Sequence, residues 1–397
     1  MVSLVKKASI IGVLVILSVL LLWYGRASWI VHHQAHEFGE DPGPSRFFSQ
    51  GMYDYGLNAR QNNQYEQARD YFRQSVKSNV LNMKAWLKLA QAEAALGNKD
   101  QAVRILRFVH RQTADTSNYK WEQVLLGREL GAEDIFIAHI NSVIGVPGLK
   151  NDALMMLDQH FNGNIQRIAD VLKPKGLRFY LQWLMRWGRT RDSWQVWQQM
   201  PASEKAEQAV YEPYVRFLMR QREIEKAVSV WHEESGVKGL LNPGFESELS
   251  DRVFGWKFRK SRKGLWEIER TTAQARQGSH ALRIRFNGQE NINFSHFSQL
   301  VPVKPGATYE ISFYWMSRDL STDKRPFVTV SGYGCEGRWQ SGMVSADTGW
   351  QDQVISFKAP DGCHAVKIAV RREPSGKFDS KISGELILDA FEMRMVD

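Results

Sequence analysis

The feature that most constrains this 397-residue chain is a repeat with a step of 34 residues. "YEQARDYF" begins at Tyr65 and "KDQAVRIL" at Lys99, so Gln67 and Ala68 recur as Gln101 and Ala102. In that register Phe72 falls on Leu106 and Gly56 on Ala90, and Leu96-Gly97 maps to Leu130-Gly131 in a third, more degenerate unit over about 116–149. Farther on, "FYLQWLMR…VW" (Phe179 to Trp197) and "PYVRFLMR…VW" (Pro213 to Trp231) repeat with the same step. Tyr180 pairs with Tyr214, Leu184-Met185-Arg186 with Leu218-Met219-Arg220, and Val196-Trp197 with Val230-Trp231. One such unit cannot bury its apolar face alone, so a stack of helix pairs is expected.

Residues ~48–235 resemble a tetratricopeptide repeat array. On that pattern Trp86, Leu89, Ala90, Ala102 and Leu106 take the packing positions of one unit, and Gly56, Ala68 and Phe72 those of the unit before it. Phe136 stands where the third unit should carry Ala, and 150–178 breaks the register. The resemblance implies a concave groove for a peptide or protein partner. Trp183, Trp187, Trp194, Trp197 and Trp231 are spaced as a helix stripe facing its neighbour, so they read as core.

After Gly239 the apolar period changes from 3.6 to 2. "HALRIRF" (280–286), "TYEISFYWM" (308–316), "FVTVSGY" (327–333), "AVKIAVR" (365–371) and "ELILDAFEM" (385–393) alternate, between turns such as "VKPGA" and "APDGC". Many short strands with such punctuation indicate an all-β jelly-roll sandwich. Asn242-Pro243-Gly244 reads as the helix stop and Phe245 as the first residue of the second core. Alternation sends His280, Leu282, Ile284 and Phe286 inward with Tyr309, Ile311, Phe313 and Trp315. It leaves Arg283, Arg285, Tyr314 and Tyr333 outward.

"NPGFES" (242–247), Gly255-Trp256, "GSHALRI" (278–284), "SQLVPVKPGATYEISFYW" (298–315) and "ELILDAFEM" occur in that order. The series resembles carbohydrate-binding modules of the family 4 and family 9 type, in the galactose-binding-like group. That resemblance implies a glycan ligand, a polysaccharide or oligosaccharide. Tyr314, Tyr333, Trp339 and Trp350 are the candidate aromatic platform, with Arg285 and Gln299 at the hydroxyl edge. It also implies a structural Ca²⁺ held by Glu246 and Asp389, with backbone carbonyls near Gly278. Carboxylate and carbonyl oxygens are the donors that this ion selects.

Ala8 to Tyr24 is a run of 17 residues without a charge, preceded by Lys6 and Lys7. It reads as an uncleaved transmembrane signal anchor with the N-terminus cytoplasmic. The expectation is a single-pass protein of the bacterial inner membrane with a periplasmic body. In an oxidising compartment Cys335 and Cys363 would pair; the alternative is two buried thiols. The net charge of +9 divides into +6 up to Gly239 (30 Lys/Arg, 24 Asp/Glu) and +3 beyond it (22 against 19). It is concentrated only in a knot from Arg252 to Lys263, which could meet a phosphate or a uronic acid or be a solvated loop.

No enzyme motif is present; His32, His33, His36 and Glu37 read as solvated stem with a transition-metal site as the alternative, and nothing pairs the scattered Glu246, Glu310 and Glu385 as the two carboxylates of a glycosidase. Four segments follow: an anchor at 1–28, a stem at 29–47, helical repeats at 48–239 and a β-sandwich at 240–397. The expected function is a non-enzymatic scaffold binding a protein through the repeats and a glycan through the sandwich. Its setting would be cell-surface polysaccharide assembly or export, and no nucleic acid is expected. The alternative is a sandwich that only caps the solenoid or binds protein.

Overall fold

The computed structural model describes residues 15–22, 25, 48–113 and 116–396, which divide into two compact units at Trp183/Leu184. In the first unit the 34-residue step becomes paired helices: α1 (Ser49–Gln61) with α2 (Tyr65–Ser78), α3 (Met83–Ala95) with α4 (Lys99–Gln112), and α5 (Lys120–Leu130) with α6 (Glu133–Ile144). Helices α7 (Lys150–His160) and α8 (Ile165–Val171) follow, and α9 (Pro174–Arg186) runs across the division.

The sequence register is a packing register. A Cβ on Gly56 would lie 2.5 Å from the Phe72 ring, so α1 and α2 close only over glycine. One step later Ala90 and Leu106 are both fully buried, the extra methyl admitted by a smaller partner. At Gly127 a Cβ would stand 3.0 Å from the Phe136 backbone nitrogen, so glycine lets the backbones of α5 and α6 approach closely. The step returns in the ion pairs Lys88–Glu122 and Glu133–Arg167, each at 3.1 Å between residues 34 apart. This unit is a helical repeat solenoid.

A polar seam joins α4, α5 and α6. Gln123 donates to Thr113 Oγ1 at 3.0 Å, while His139 Nε2 lies 3.2 Å from Gln123 Oε1 and 2.8 Å from His110 Nδ1. His139 is 3% exposed; burial first, then the charges of His110 and Lys120, push its pKa down to about 4.

The second unit begins with the last turn of α9 and continues through α10 (Thr190–Gln199), the short α11 (Ala202–Lys205), α12 (Gln208–Arg220) and α13 (Ile224–Ser235). Trp197 stacks on Tyr214 at 4.8 Å, and Trp231 is fully buried; Trp187, by contrast, is 66% exposed and leaves the expected stripe. Helix α13 ends at Gly236 (φ +70°), six residues before Asn242 (242 − 236). The Asn-Pro-Gly turn therefore belongs to the sandwich.

Among the described residues ten strands form two antiparallel sheets. Sheet A has the order β1 (Lys257–Phe258), β4 (Phe294–Pro302), β9 (Ala365–Arg372), β6 (Phe327–Gly332), β7 (Arg338–Gln340). Sheet B has the order β2 (Trp266–Thr271), β3 (Ala281–Asn287), β10 (Ser383–Met395), β5 (Thr308–Arg318), β8 (Thr348–Lys358). Leu282, Ile284, Ile311 and Phe313 from sheet B meet Phe297, Val301, Val330 and Ile368 from sheet A in one buried core. Segment 251–254 packs on the last helices. Phe254 meets Trp231 at 5.2 Å, Arg252 lies over the Trp231 ring and donates to Tyr211 Oη, and Val253 N–H donates to Glu212.

The transmembrane anchor and the single-pass inner-membrane location are not supported. No helix among the described residues is long and apolar enough to cross a membrane. Part of the Ala8 to Tyr24 run, and the stem with His32, His33, His36 and Glu37, lie outside the described residues.

His139 sets a pH dependence. Its folded pKa lies below its unfolded value near 6.5, so the unfolded chain takes up a proton first and stability falls as pH drops from about 6.5 toward 4. Urea unfolding followed by circular dichroism at pH 7 and pH 4.5 should show wild type losing about 2 kcal/mol more than His139→Gln in the helical transition. Equal losses would refute this role.

Candidate functional site

Sheet A turns Phe297, Val301, Val328, Val330, Ile368 and Val370 into the core. Period-2 alternation then places the intervening residues on its outer face. The register aligns Lys257, Ser298, Ala369, Thr329 and Gln340 in one row across the strands, and Leu300, Lys367, Ser331 and Arg338 in the next. A pocket of about 370 Å³ opens on this face. Lys257, Phe258 and Arg259 line it from the β1 edge, Ser295, His296, Ser298 and Leu300 from β4, Lys367 from β9, and Tyr333 from beyond β6. That volume is within the range of small-ligand clefts.

Several of these groups are held from behind. Tyr333 N–H donates to Ala365 O at 3.0 Å, and the disulfide Cys335–Cys363 ties its loop to the turn before β9. Closing that loop restricts the unfolded chain by on the order of 3 kcal/mol. His296 stacks on Trp266 at 4.2 Å, and the Trp266 indole donates to Arg259 O at 2.9 Å. Burial, and secondarily Arg259, lower the His296 pKa, so its ring is a neutral hydrogen-bonding group at neutral pH. Lys257 is paired with Asp251, whereas among the described residues neither Arg259 nor Lys367 meets a carboxylate.

The predicted ligand residues do not share one cleft. Tyr333 lines the sheet A pocket, but Tyr314, Trp350 and Arg285 belong to the outer face of sheet B. There the Arg276 guanidinium covers the Tyr314 ring at 4.8 Å, and Trp350 packs on Ala281, Met316 and Ile387. Arg285 is bound to Glu385 at 2.9 Å and faces Glu267 at 3.6 Å, within a ladder that also pairs Arg283 with Glu269 and Arg394 with Glu310. These three arginines are satisfied within the face.

Trp339 and Gln299 point inward. Trp339 lies opposite Val330 and meets Phe357 at 5.2 Å inside the sandwich. Gln299 is fully buried and donates to Leu241 O (2.9 Å) and Phe254 O (2.8 Å), so it staples the incoming chain to sheet A. His280, expected inward, instead binds Glu246 through Nδ1 at 3.2 Å. Sequence reasoning missed Lys257, Arg259, His296 and Lys367 as site residues. The basic knot at 252–263 was the available signal for the first two.

Glu246 and Asp389 do not fit a calcium site. Glu246 Oε1 accepts from the Ser279 and His280 N–H groups, and Oε2 from Ser279 Oγ and His280 Nδ1. These contacts, the two backbone ones first, lower its pKa to about 2. Asp389 is fully buried; Oδ2 accepts from Arg276 N–H (2.7 Å) and Gln277 N–H (2.9 Å), and Oδ1 from Ala390 N–H (2.6 Å). Calcium requires six to eight oxygen donors, while here hydrogen-bearing groups surround both carboxylates. Among the described residues no three His, Cys, Asp or Glu come together to hold a metal.

No protein-family model matches the sequence, and no curated protein matches it. Solved structures do resemble the chain, over about two-fifths of its length. The CBM22-1 xylan-binding domain of Paenibacillus barcinonensis Xyn10C is 20% identical over 39% of this chain and 92% of its own, with a TM-score of 0.26. TmCBM61, solved with β-1,4-galactotriose, is 20% identical over 40% of this chain and 100% of its own, with a TM-score of 0.27. A CBM4 module is 16% identical over 40% and 99%, with a TM-score of 0.28. The C-terminal sandwich thus resembles carbohydrate-binding modules, at a level that carries no argument about its ligand.

If N–H groups rather than a cation hold the two carboxylates, thermal unfolding of the full chain should occur at the same temperature, within about 1 °C, in calcium and in a chelator. Glu246→Ala should lower that temperature in both. Its loss should be present above pH 4.5 and fade toward pH 2, where the wild-type carboxylate is protonated as well. A rise of several degrees on adding calcium would contradict this.

Proposed function

We propose that the protein binds a glycan on the outer face of sheet A and a protein partner on its helical repeats, without catalysing a reaction. The observation that carries the first part is the pocket itself. It sets the Tyr333 ring beside Ser298, His296 and Lys367, while the opposite sheet face is filled by its own ion pairs. An aromatic ring takes the C–H face of a pyranose, and neighbouring hydroxyl, imidazole and ammonium groups take its hydroxyls. The stacked helix pairs suit a protein partner, as in the tetratricopeptide arrays they resemble. Together they fit a scaffold in cell-surface polysaccharide assembly or export.

A capping role for the sandwich is also favoured by a contact, since Arg252 and Phe254 cover Trp231 of the last helix. Capping uses 251–254, and the pocket uses other residues, so one sandwich serves both.

Affinity electrophoresis of the full chain through gels containing a panel of polysaccharides tests the glycan reading. Tyr333→Ala should weaken retention about tenfold, from loss of stacking worth roughly 1–1.5 kcal/mol. Tyr314→Ala should change it less than twofold. The reverse pattern, or no retention on any gel, would refute the proposal.

A further inference from the structure

We propose that the glycan is acidic, its carboxylates read by Arg259 and Lys367; this rests on the reading that the sheet A face is a glycan site. The nine residues around the pocket include three cations, Lys257, Arg259 and Lys367, and no Asp or Glu. A site for a neutral sugar has no need of that bias. Carbohydrate hydroxyls are recognised by acceptors as readily as by donors, yet this rim offers no carboxylate acceptor.

Pairing within the protein sharpens the point. Lys257 is neutralised by Asp251, and Arg283, Arg285 and Arg394 on sheet B each have a glutamate. Arg259 and Lys367 alone in the pocket keep a charge that no carboxylate among the described residues meets. Both are anchored at the backbone. Arg259 continues β1, its N–H donating to His296 O at 3.0 Å, and Lys367 stands in central β9 between Leu300 and Ser331.

Their placement suits a polymer rather than a lone anion. Arg259 just past β1 and Lys367 on β9 flank β4, hence about 10 Å apart across the sheet, and are offset along it. A single carboxylate cannot bridge that span, whereas an extended chain with repeated uronic acids can contact both. Between them lie Ser298 and Leu300, a hydroxyl and an apolar surface for the intervening sugar. Guanidinium and ammonium groups bond carboxylates more strongly than neutral hydroxyls, and their attraction falls with salt.

The test uses the full chain with polygalacturonate, alginate and hyaluronate, each also in its methyl-esterified form, and with neutral xylan and galactan. Calorimetric titration should find at least one acidic polymer bound at least tenfold more tightly than its ester, with the preference shrinking as salt rises. Arg259→Gln/Lys367→Gln should abolish that preference while keeping residual affinity for the ester, and Arg259→Lys/Lys367→Arg should restore it. Matching circular dichroism melts establish that the variants are folded. Binding to xylan or galactan with no gain for any acidic polymer would overturn this inference and leave the glycan site standing. Unchanged preference in the Gln variant would also overturn it. No binding to any polymer would overturn both.

Discussion

Strand β9 sits at the centre of sheet A, bonded to β4 on one edge and β6 on the other, and its alternation sets both the core and the pocket. Val366, Ile368 and Val370 turn inward, so Lys367 has no choice but to stand on the outer face between Leu300 and Ser331. A slip of one residue would bury Lys367 and expose Ile368, at a cost that rules it out. The disulfide then fixes the turn that enters β9 to the loop that leaves β6, which is the loop carrying Tyr333. Core packing and site geometry are consequences of one register.

A second constraint closes the other end of the sandwich. Phe245 holds a left-handed backbone (φ +58°), unfavourable for an aromatic residue, yet it is fully buried against Trp256, Phe297 and Phe391. Pro243 O accepts from Phe391 N–H, next to the bulge where Ala390 also has positive φ. Glu246 accepts from the Ser279 and His280 N–H groups and Asp389 from the Arg276 and Gln277 N–H groups, which locks these turns. The stretch from Asn242 to Glu246 is therefore a clasp held by backbone amides.

Much of the fold was legible because it rests on periodicity. Gly56 and Phe72 against Ala90 and Leu106 revealed the helix pairs, and inward Ile311, Phe313 and Trp315 revealed the sandwich. The site was less legible for a geometric reason. Alternation says that Tyr314 and Tyr333 both face outward, but a sandwich has two outsides, and consecutive β5 and β6 enter different sheets. Strand parity contains no information on that choice. Gln299, placed at the hydroxyl edge by the resemblance, shares the inward parity of Phe297 and Val301, and its two carbonyl partners come from segments 45 and 58 residues away. The knot at 252–263 was visible as charge, but its role depends on Lys257 pairing with β4.

The most direct measurement is a crystal structure of the full chain with a bound oligosaccharide. The account predicts a sugar ring over Tyr333 in the sheet A pocket, within hydrogen-bonding reach of Ser298 or His296 and with an anionic substituent toward Lys367. A sugar seated over Tyr314 and Trp350 on sheet B, with the sheet A pocket empty, would contradict it.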